Sequence, residues 1–277
     1  MLQLVSVRKL ETIEEFNEAR LLEKQIWDAD SAQLHYLVAA RNHGALILGA
    51  FFEQELIGFI YSYPAFVDGE VHLYSHQLGI KREFRERGIG ELLKLKQREV
   101  ALQHGFKKCR WTFDPLQSRN AFLNFSKLRA FAVDYTENYY GELNDVFNNS
   151  LPSDRFTVEW DLEDNDYLRW DQKIEECLEE AVELVEWSEG EIGLPVLDAD
   201  NSFNAAQSLT EDAYFLYIPH YFQKIKLESP TLAEDWRMKT RAMIKTLLQQ
   251  KYTAVYVQQC NEFIDRYLFV KRGQFVI

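Results

Sequence analysis

Arg85, Gly88 and Gly90 fall at the spacing Arg-x-x-Gly-x-Gly inside KREFRERGIG, a short basic stretch between a strand-like apolar run and a helix-like amphipathic one. Glycines at a helix start leave backbone N–H groups unpaired and remove side chains that would block a phosphate. The helix dipole adds roughly half a positive charge at the same place. Lys81, Arg82, Arg85 and Arg87 surround the turn with cations suited to a diphosphate and a further phosphate. A dinucleotide fingerprint would need a third glycine where Leu93 stands, and no Gly-Lys-Ser/Thr follows to make a Walker loop. The plain alternative is a basic turn that only caps a helix.

Other residues have the chemistry to move protons. His76 and Tyr74 lie two apart in VHLYSHQLGI, so on a strand both face the same side. An imidazole with an unperturbed pKa near 6.5 suits a general base, although a half-buried strand histidine also serves as plain structure. Tyr139, Tyr140 and Glu142 sit together in NYYGEL, where either a phenol donates a proton or the rings simply pack. Asp114, before Pro115, reads as a turn cap. His72 and His76 would lie roughly 13 Å apart on a strand, too far to share one ion, and no metal is expected. Cys109, Cys177 and Cys260 are scattered, with no CxxC pair, and read as small core residues. Ser126 and Cys109 lack a local base, which argues against covalent catalysis.

The elements that must hold these residues can be traced by periodicity. LETIEEFNEARLLEKQIW (10–27) has helical spacing and a possible capping box at Thr12 and Glu15. Two apolar runs, 45–52 and 56–64, predict a hairpin, and 71–80 a third strand after the Asp68-Gly69 turn. A helix with Leu92, Leu93, Leu95, Val100 and Leu102 follows the glycine turn and stops at Gly105. Then come a strand at 108–113, a short helix at 118–128, and strands near 129–135 and 155–162. Such an order fits an α/β fold (α+β) with a mixed sheet. Beyond it the pattern predicts a helix over 166–187 with Ile174, Leu178, Val182 and Val185 as its apolar stripe. A turn-rich link at 195–201, a strand at 213–218, a helix at 235–250 and strands at 253–258 and 265–271 complete the chain. We divide it into a first domain, 1–162, and a C-terminal α/β extension, 163–277, either an addition to the first sheet or a degenerate second copy of the first half-fold.

With 277 residues, of which 47% are hydrophobic and 14% aromatic, the chain suits a folded globular protein. The net charge of −13 works against nucleic acid and anionic membranes as partners. The excess is concentrated: Glu159 to Glu191 holds fourteen acidic and two basic residues, whereas 81–108 is rich in Lys and Arg. No apolar run is long enough to span a bilayer and the N-terminus lacks a signal-peptide layout, so a cytoplasmic location is expected.

QLGIKREFRERGIGELLKLKQREVA resembles the signature of the GNAT superfamily of acyl-coenzyme A N-acyltransferases, with its Arg/Gln-x-x-Gly-x-Gly/Ala motif. TFDPLQSRNAFLNFSKL, NYYGELND and LPSDRFTVEW resemble a bacterial subgroup of predicted acetyltransferases, and the likeness covers about 46–162. The resemblance implies a GNAT fold and an acyl-CoA such as acetyl-CoA as cosubstrate. In it the backbones of Leu78 and Ile80 would pair with the pantetheine arm. The amides of Arg85, Arg87, Gly88, Ile89, Gly90 and Glu91 would face the pyrophosphate. Asn120 and Phe125 would flank the far end of the arm. It implies transfer of an acetyl or other short acyl group to a primary amine of a small molecule. N-succinyl transfer to an amino acid, or acyl-CoA binding without catalysis, are the alternatives. Phe125 stands where many members carry a proton-donating tyrosine, so Tyr140 is a replacement acid and His76 or Glu142 a base. Arg129 stands where the family commonly has glycine, so the turn there is expected to differ.

Overall fold

Polar and glycine-bearing breaks divide the first part of the chain into strands, of which 46–52 and 56–60 are buried almost without alternation. A computed structural model describes residues 2–27, 33–141, 151–164, 166–198 and 208–273, and Glu142 lies outside them. The described residues group into two compact units: 2–111 with 160–163, and 112–141 with 151–159 and 164–273.

In the first unit, β1 (Val5–Lys9) pairs antiparallel with β2 (Leu46–Phe52), which pairs with β3 (Glu55–Val67), which pairs with β4 (Glu70–Ile80). Strand β5 (Lys108–Phe113) then joins β4 in parallel through Leu73↔Cys109 and Tyr74↔Arg110, which makes the sheet mixed, as expected. Helix α1 (Ile13–Trp27) opens with the expected reciprocal cap, Glu15 N–H to Thr12 Oγ1 and Thr12 N–H to Glu15 Oε2, each at 3.2 Å. Phe16, Ala19 and Leu22 bury its stripe against Ile47, Phe51 and Phe59. Strand β1 and helix α2 (Leu34–Asn42) were not anticipated. Both are short: β1 alternates over only five residues, and only one residue of α2, Leu37, is buried.

Helix α3 (Ile89–Gln103) crosses the sheet and buries Ile89, Gly90, Leu93, Lys94, Gln97, Val100 and Ala101. Its stripe differs from the leucine pattern expected: Leu95 and Leu102 are exposed, whereas Lys94 and Gln97 are buried. The reason is local, since the stripe passes over Ser75, whose hydroxyl accepts from Lys94 Nζ at 2.9 Å and Gln97 Nε2 at 3.0 Å.

In the second unit, α4 (Ser118–Ala121) runs into a π-helical stretch, Phe122–Lys127, where a single α-helix was expected. Strands β6 (Phe131–Thr136) and β7 (Arg155–Asp161) pair antiparallel. Helix α5 (Tyr167–Glu180) ends seven residues earlier than its stripe predicted. Ala181 turns extended, and β8 (Val182–Glu183) pairs in parallel with β11 (Ala213–Pro219), so Val182 serves a sheet rather than a helix. The supposed turn-rich link contains β10 (Pro195–Leu197), paired with β9 (Trp187–Glu189). After α6 (Phe222–Glu228), helix α7 (Pro230–Gln249) starts five residues before the position expected, with Pro230 in its first turn. Strands β12 (Tyr252–Gln259) and β13 (Ile264–Lys271) complete a sheet ordered β12-β13-β11-β8. An aromatic cluster of Phe113, Phe125, Phe156, Tyr267 and Phe269 fills this unit's core.

Candidate acyl-coenzyme A and acceptor site

Strand β4 leads directly into the glycine turn. A single 3-10 turn, Arg82–Phe84, follows Lys81; Glu86 and Gly88 then take φ of 63° and 77°, and α3 begins at Ile89. Leu92 N–H is the first to close a helical bond, to Gly88 C=O at 3.1 Å. The amides of Ile89, Gly90 and Glu91 precede it, and no side chain caps them. Ile89 and Gly90 are buried, and as first-turn amides of α3 their N–H groups lie at the positive end of the helix dipole, which suits a diphosphate. A Cβ on Gly88 would meet only Leu2, at 3.5 Å; the left-handed backbone, and not crowding, is what asks for glycine.

Cations ring the turn as the sequence implied. Arg82, Arg85 and Arg87 are exposed, and Lys81 pairs with Glu55. Arg85 Nε donates to the Ile80 carbonyl at 3.1 Å, so an arm lying along β4 would share or displace that bond. Within this unit β4 has β5 beside it at Leu73 and Tyr74 but only β3 beside Leu78 and Ile80, which leaves a strand edge for such an arm.

A bulge re-aims the middle of β4. Tyr61 faces Gln77 while Ser62 faces Ser75, so His76 is the extra residue. Ser75 therefore points at α3, whereas Gln77 and Gly79 point at α1: Gln77 Nε2 donates to Glu23 Oε1 at 2.8 Å, and a Cβ on Gly79 would strike Ile26 and Trp27. His76 joins Tyr61, Tyr63 and Tyr74, with ring centroids 5.4 to 6.3 Å apart, so Tyr74 and His76 do share a face. Desolvation by these neighbours lowers the His76 pKa below 6.5, and the nearby Glu23 charge opposes it. Burial, then Tyr63, raises the Tyr61 phenol. Glu23 was not singled out from the sequence. Its signal was legible: a carboxylate at the helical spacing of the buried Phe16, Ala19 and Leu22.

On the opposite face, Lys94 Nζ lies 3.6 Å from the centre of the Trp111 ring with no carboxylate against it. Burial pushes its pKa down to about 8, and Cys109 opposes weakly; burial likewise pushes the Cys109 thiol up to about 11.

The remaining candidates belong to the second unit. Asn120 is exposed on α4. Phe125 is fully buried, its ring 5.7 Å from Phe113 and 5.8 Å from Tyr267, so that side chain is core. Tyr140 is exposed and packs edge-on against Tyr139 at 4.7 Å; the Arg155 guanidinium lies 5.3 Å from its ring, and its hydroxyl is 3.5 Å from Thr112 Oγ1. Arg129 keeps a left-handed φ of 55° where glycine was the expectation. Its guanidinium bonds both Asp171 oxygens, at 3.1 and 2.9 Å, and covers the Tyr167 ring at 4.4 Å, contacts that offset the strain. Asp114 caps its turn by accepting Leu116 N–H at 2.9 Å, as expected. Among the described residues no three side chains group to hold a metal, and no helix is long and apolar enough to cross a membrane.

Residues 4–124 match the family model described as Acetyltransferase (GNAT) family. No curated protein matches the chain. Solved structures that resemble it include Arabidopsis thaliana Naa50 in complex with the bisubstrate analogue CoA-Ac-MVNAL, which is 16% identical over 56% of this chain and 97% of that one, with a TM-score of 0.45. The ribosomal-protein-S18-alanine N-acetyltransferase from Escherichia coli is 12% identical over 59% and 97%, at 0.47. An acetyltransferase of the GNAT family from Streptococcus pneumoniae is 16% identical over 56% and 97%, at 0.44. Residues 4–124 of this chain thus match the model of the GNAT acetyltransferase family, a family of acyl-CoA-dependent N-acyltransferases.

Proposed function

We propose that the protein moves an acetyl or other short acyl group from acyl-coenzyme A to a primary amine of a small molecule. One observation carries this: three consecutive uncapped amides, Ile89 to Glu91, behind a left-handed Gly88 and among exposed arginines. Those amides, with Arg85 and Arg87, hold the pyrophosphate, and the free edge of β4 at Leu78 and Ile80 takes the pantetheine amides. From the family resemblance, Asn120 is assigned to the far part of the arm, and Phe125, a core residue, is not.

The amine must reach the thioester neutral. His76 is the base in this scheme, since desolvation lowers its pKa below 6.5 and favours the neutral ring, and its side chain is exposed to an incoming amine. Glu23 puts a negative charge on the same face, which attracts a protonated amine before it is deprotonated. Tyr140 is one candidate to protonate the departing thiolate; Glu142 remains a second possible base from the sequence. Residues 163–277 are an α/β extension of the domain over 1–162 in this proposal.

Thiol release from acetyl- and succinyl-coenzyme A, measured with pooled small amines, tests the reaction. Release with at least one pool is expected. Thermal stabilisation by coenzyme A without any thiol would leave a binding module, and no stabilisation at all would remove the acyl-CoA site.

A further inference from the structure

The bulge in β4 gathers an aromatic surface on one face of the first unit. Because it adds a residue, His76 and Gln77 both lie on the side of α1, with Tyr74 and, across the strand pair, Tyr61 and Tyr63. Tyr61 packs against the α1 cluster of Phe16, Ala19 and Leu22. The four rings are inclined to one another by 31 to 83°, so no pair stacks face to face. The tyrosines are half-buried and His76 is exposed, which leaves the surface open to a ligand. Glu23 stands beside it, only 8% exposed on α1, and its Oε1 accepts from Gln77 Nε2 at 2.8 Å. The strand thus fixes the carboxylate with a neutral amide, and the negative charge still reaches His76. Phenol faces and a carboxylate together attract a cation and repel a second carboxylate.

We propose that this surface selects an acceptor with more than one amino group, a diamine or polyamine, and holds the nitrogen that does not react. The selection rests on the acyl-transfer reading above. The reacting nitrogen must be neutral when it attacks the thioester, and a carboxylate paired with it would hold its proton on. Glu23 therefore serves a nitrogen that stays charged throughout. The neutral nitrogen forms the C–N bond, His76 takes the proton it loses, and the C–S pair leaves as thiolate. The far ammonium keeps its proton through the step. Desolvation disfavours the charged imidazole, so His76 does not stand on the surface as a competing cation. Leu78, where the arm of the cosubstrate is proposed to pair, is two residues further along the same strand, roughly 7 Å. An amino acid acceptor suits the surface poorly, because its carboxylate would meet that of Glu23.

The test measures thiol release from acetyl-coenzyme A by the full chain with putrescine, butylamine and γ-aminobutyrate, and with spermidine and benzylamine beside them. The first three share one chain length and differ in what stands at the far end: an ammonium, a methyl or a carboxylate. Putrescine or spermidine is expected to exceed butylamine in kcat/KM by at least about tenfold, and γ-aminobutyrate to be the poorest acceptor. Glu23→Gln is expected to bring the favoured polyamine to within about threefold of butylamine, a loss of discrimination that destabilisation alone would not produce. Tyr63→Leu should reduce the same ratio by a few-fold. Butylamine, benzylamine or γ-aminobutyrate used as well as putrescine and spermidine overturns the proposal, benzylamine in favour of ring stacking without charge. So does a polyamine preference that Glu23→Gln leaves intact. If Glu23→Gln does not fold, the wild-type ratios decide alone. No thiol from any of the five acceptors overturns it as well, and a wild type that coenzyme A also fails to stabilise marks the acyl-transfer reading as the part that failed.

Discussion

Arg237 Nη2 lies 2.8 Å from both carboxylate oxygens of Asp114, and both side chains are buried. Burial alone would raise the Asp114 pKa. The charge and hydrogen bonds of Arg237, helped by Lys226 and Arg155, outweigh it and hold the carboxyl at about 2.

Because that pKa is depressed from 3.8, the pair's contribution is complete above 3.8 and is lost as pH falls through about 2. Asp114→Asn should therefore cost about 3–5 kcal/mol at pH 7, because it leaves a buried guanidinium uncompensated. Its melting temperature should fall less steeply than that of wild type below about pH 4. Thermal melts against pH check both; a variant as stable as wild type at pH 7 would remove the pair from the stability account.

Lys94 makes the opposite case, a buried cation with a hydroxyl and an indole for company. The drop from 10.5 to about 8 corresponds to about 3 kcal/mol against the charged form. Lys94→Met should stabilise the protein at pH 7 by up to that amount, since Gln97 still satisfies Ser75. Between pH 8 and 10.5 the unfolded chain holds the proton that the folded one has released, so wild-type stability from this group rises with pH there. The variant should lack that rise in urea titrations run across the window.

Gly88 and Gly105 both have left-handed φ, 77° and 82°, at the two ends of α3. Valine at either should cost about 1–2 kcal/mol in backbone strain. Only Gly88→Val should weaken coenzyme A binding, by more than tenfold, because it alone displaces the phosphate-facing amides. Calorimetric titration of both variants decides; equal affinities would detach the turn from the ligand.

His76→Gln should lower kcat/KM by about 100-fold or more. The acid limb of the wild-type profile should have its midpoint below 6.5, because desolvation makes the imidazole harder to protonate, and the variant should lose that limb. A profile unchanged by the substitution would assign the base elsewhere.

Local pattern was enough for the elements around the glycine turn. The strand at 108–113 and the glycine turn into α3 come from short-range rules, apolar alternation and glycine freedom, which act within a few residues. The resemblance to GNAT enzymes rested on the same stretch, and the family match covers it. Arg129 shows the limit: sequence marked the departure from glycine, but only Asp171 and Tyr167, about forty residues later, explain how an arginine holds a left-handed turn.

The amino-acid order alone thus determined the strand-turn-helix around Gly88 and the mixed α/β layering, because both depend on period and backbone freedom near each residue. Tertiary structure decided which polar groups became special. A bulge turned His76 toward three tyrosines and Ser75 toward Lys94, and strand pairing brought Asp265 to His220 and Ser118 across 45 and 147 positions. Desolvation and long-range pairing are properties of what lies across the sheet, and no window along the chain contains them.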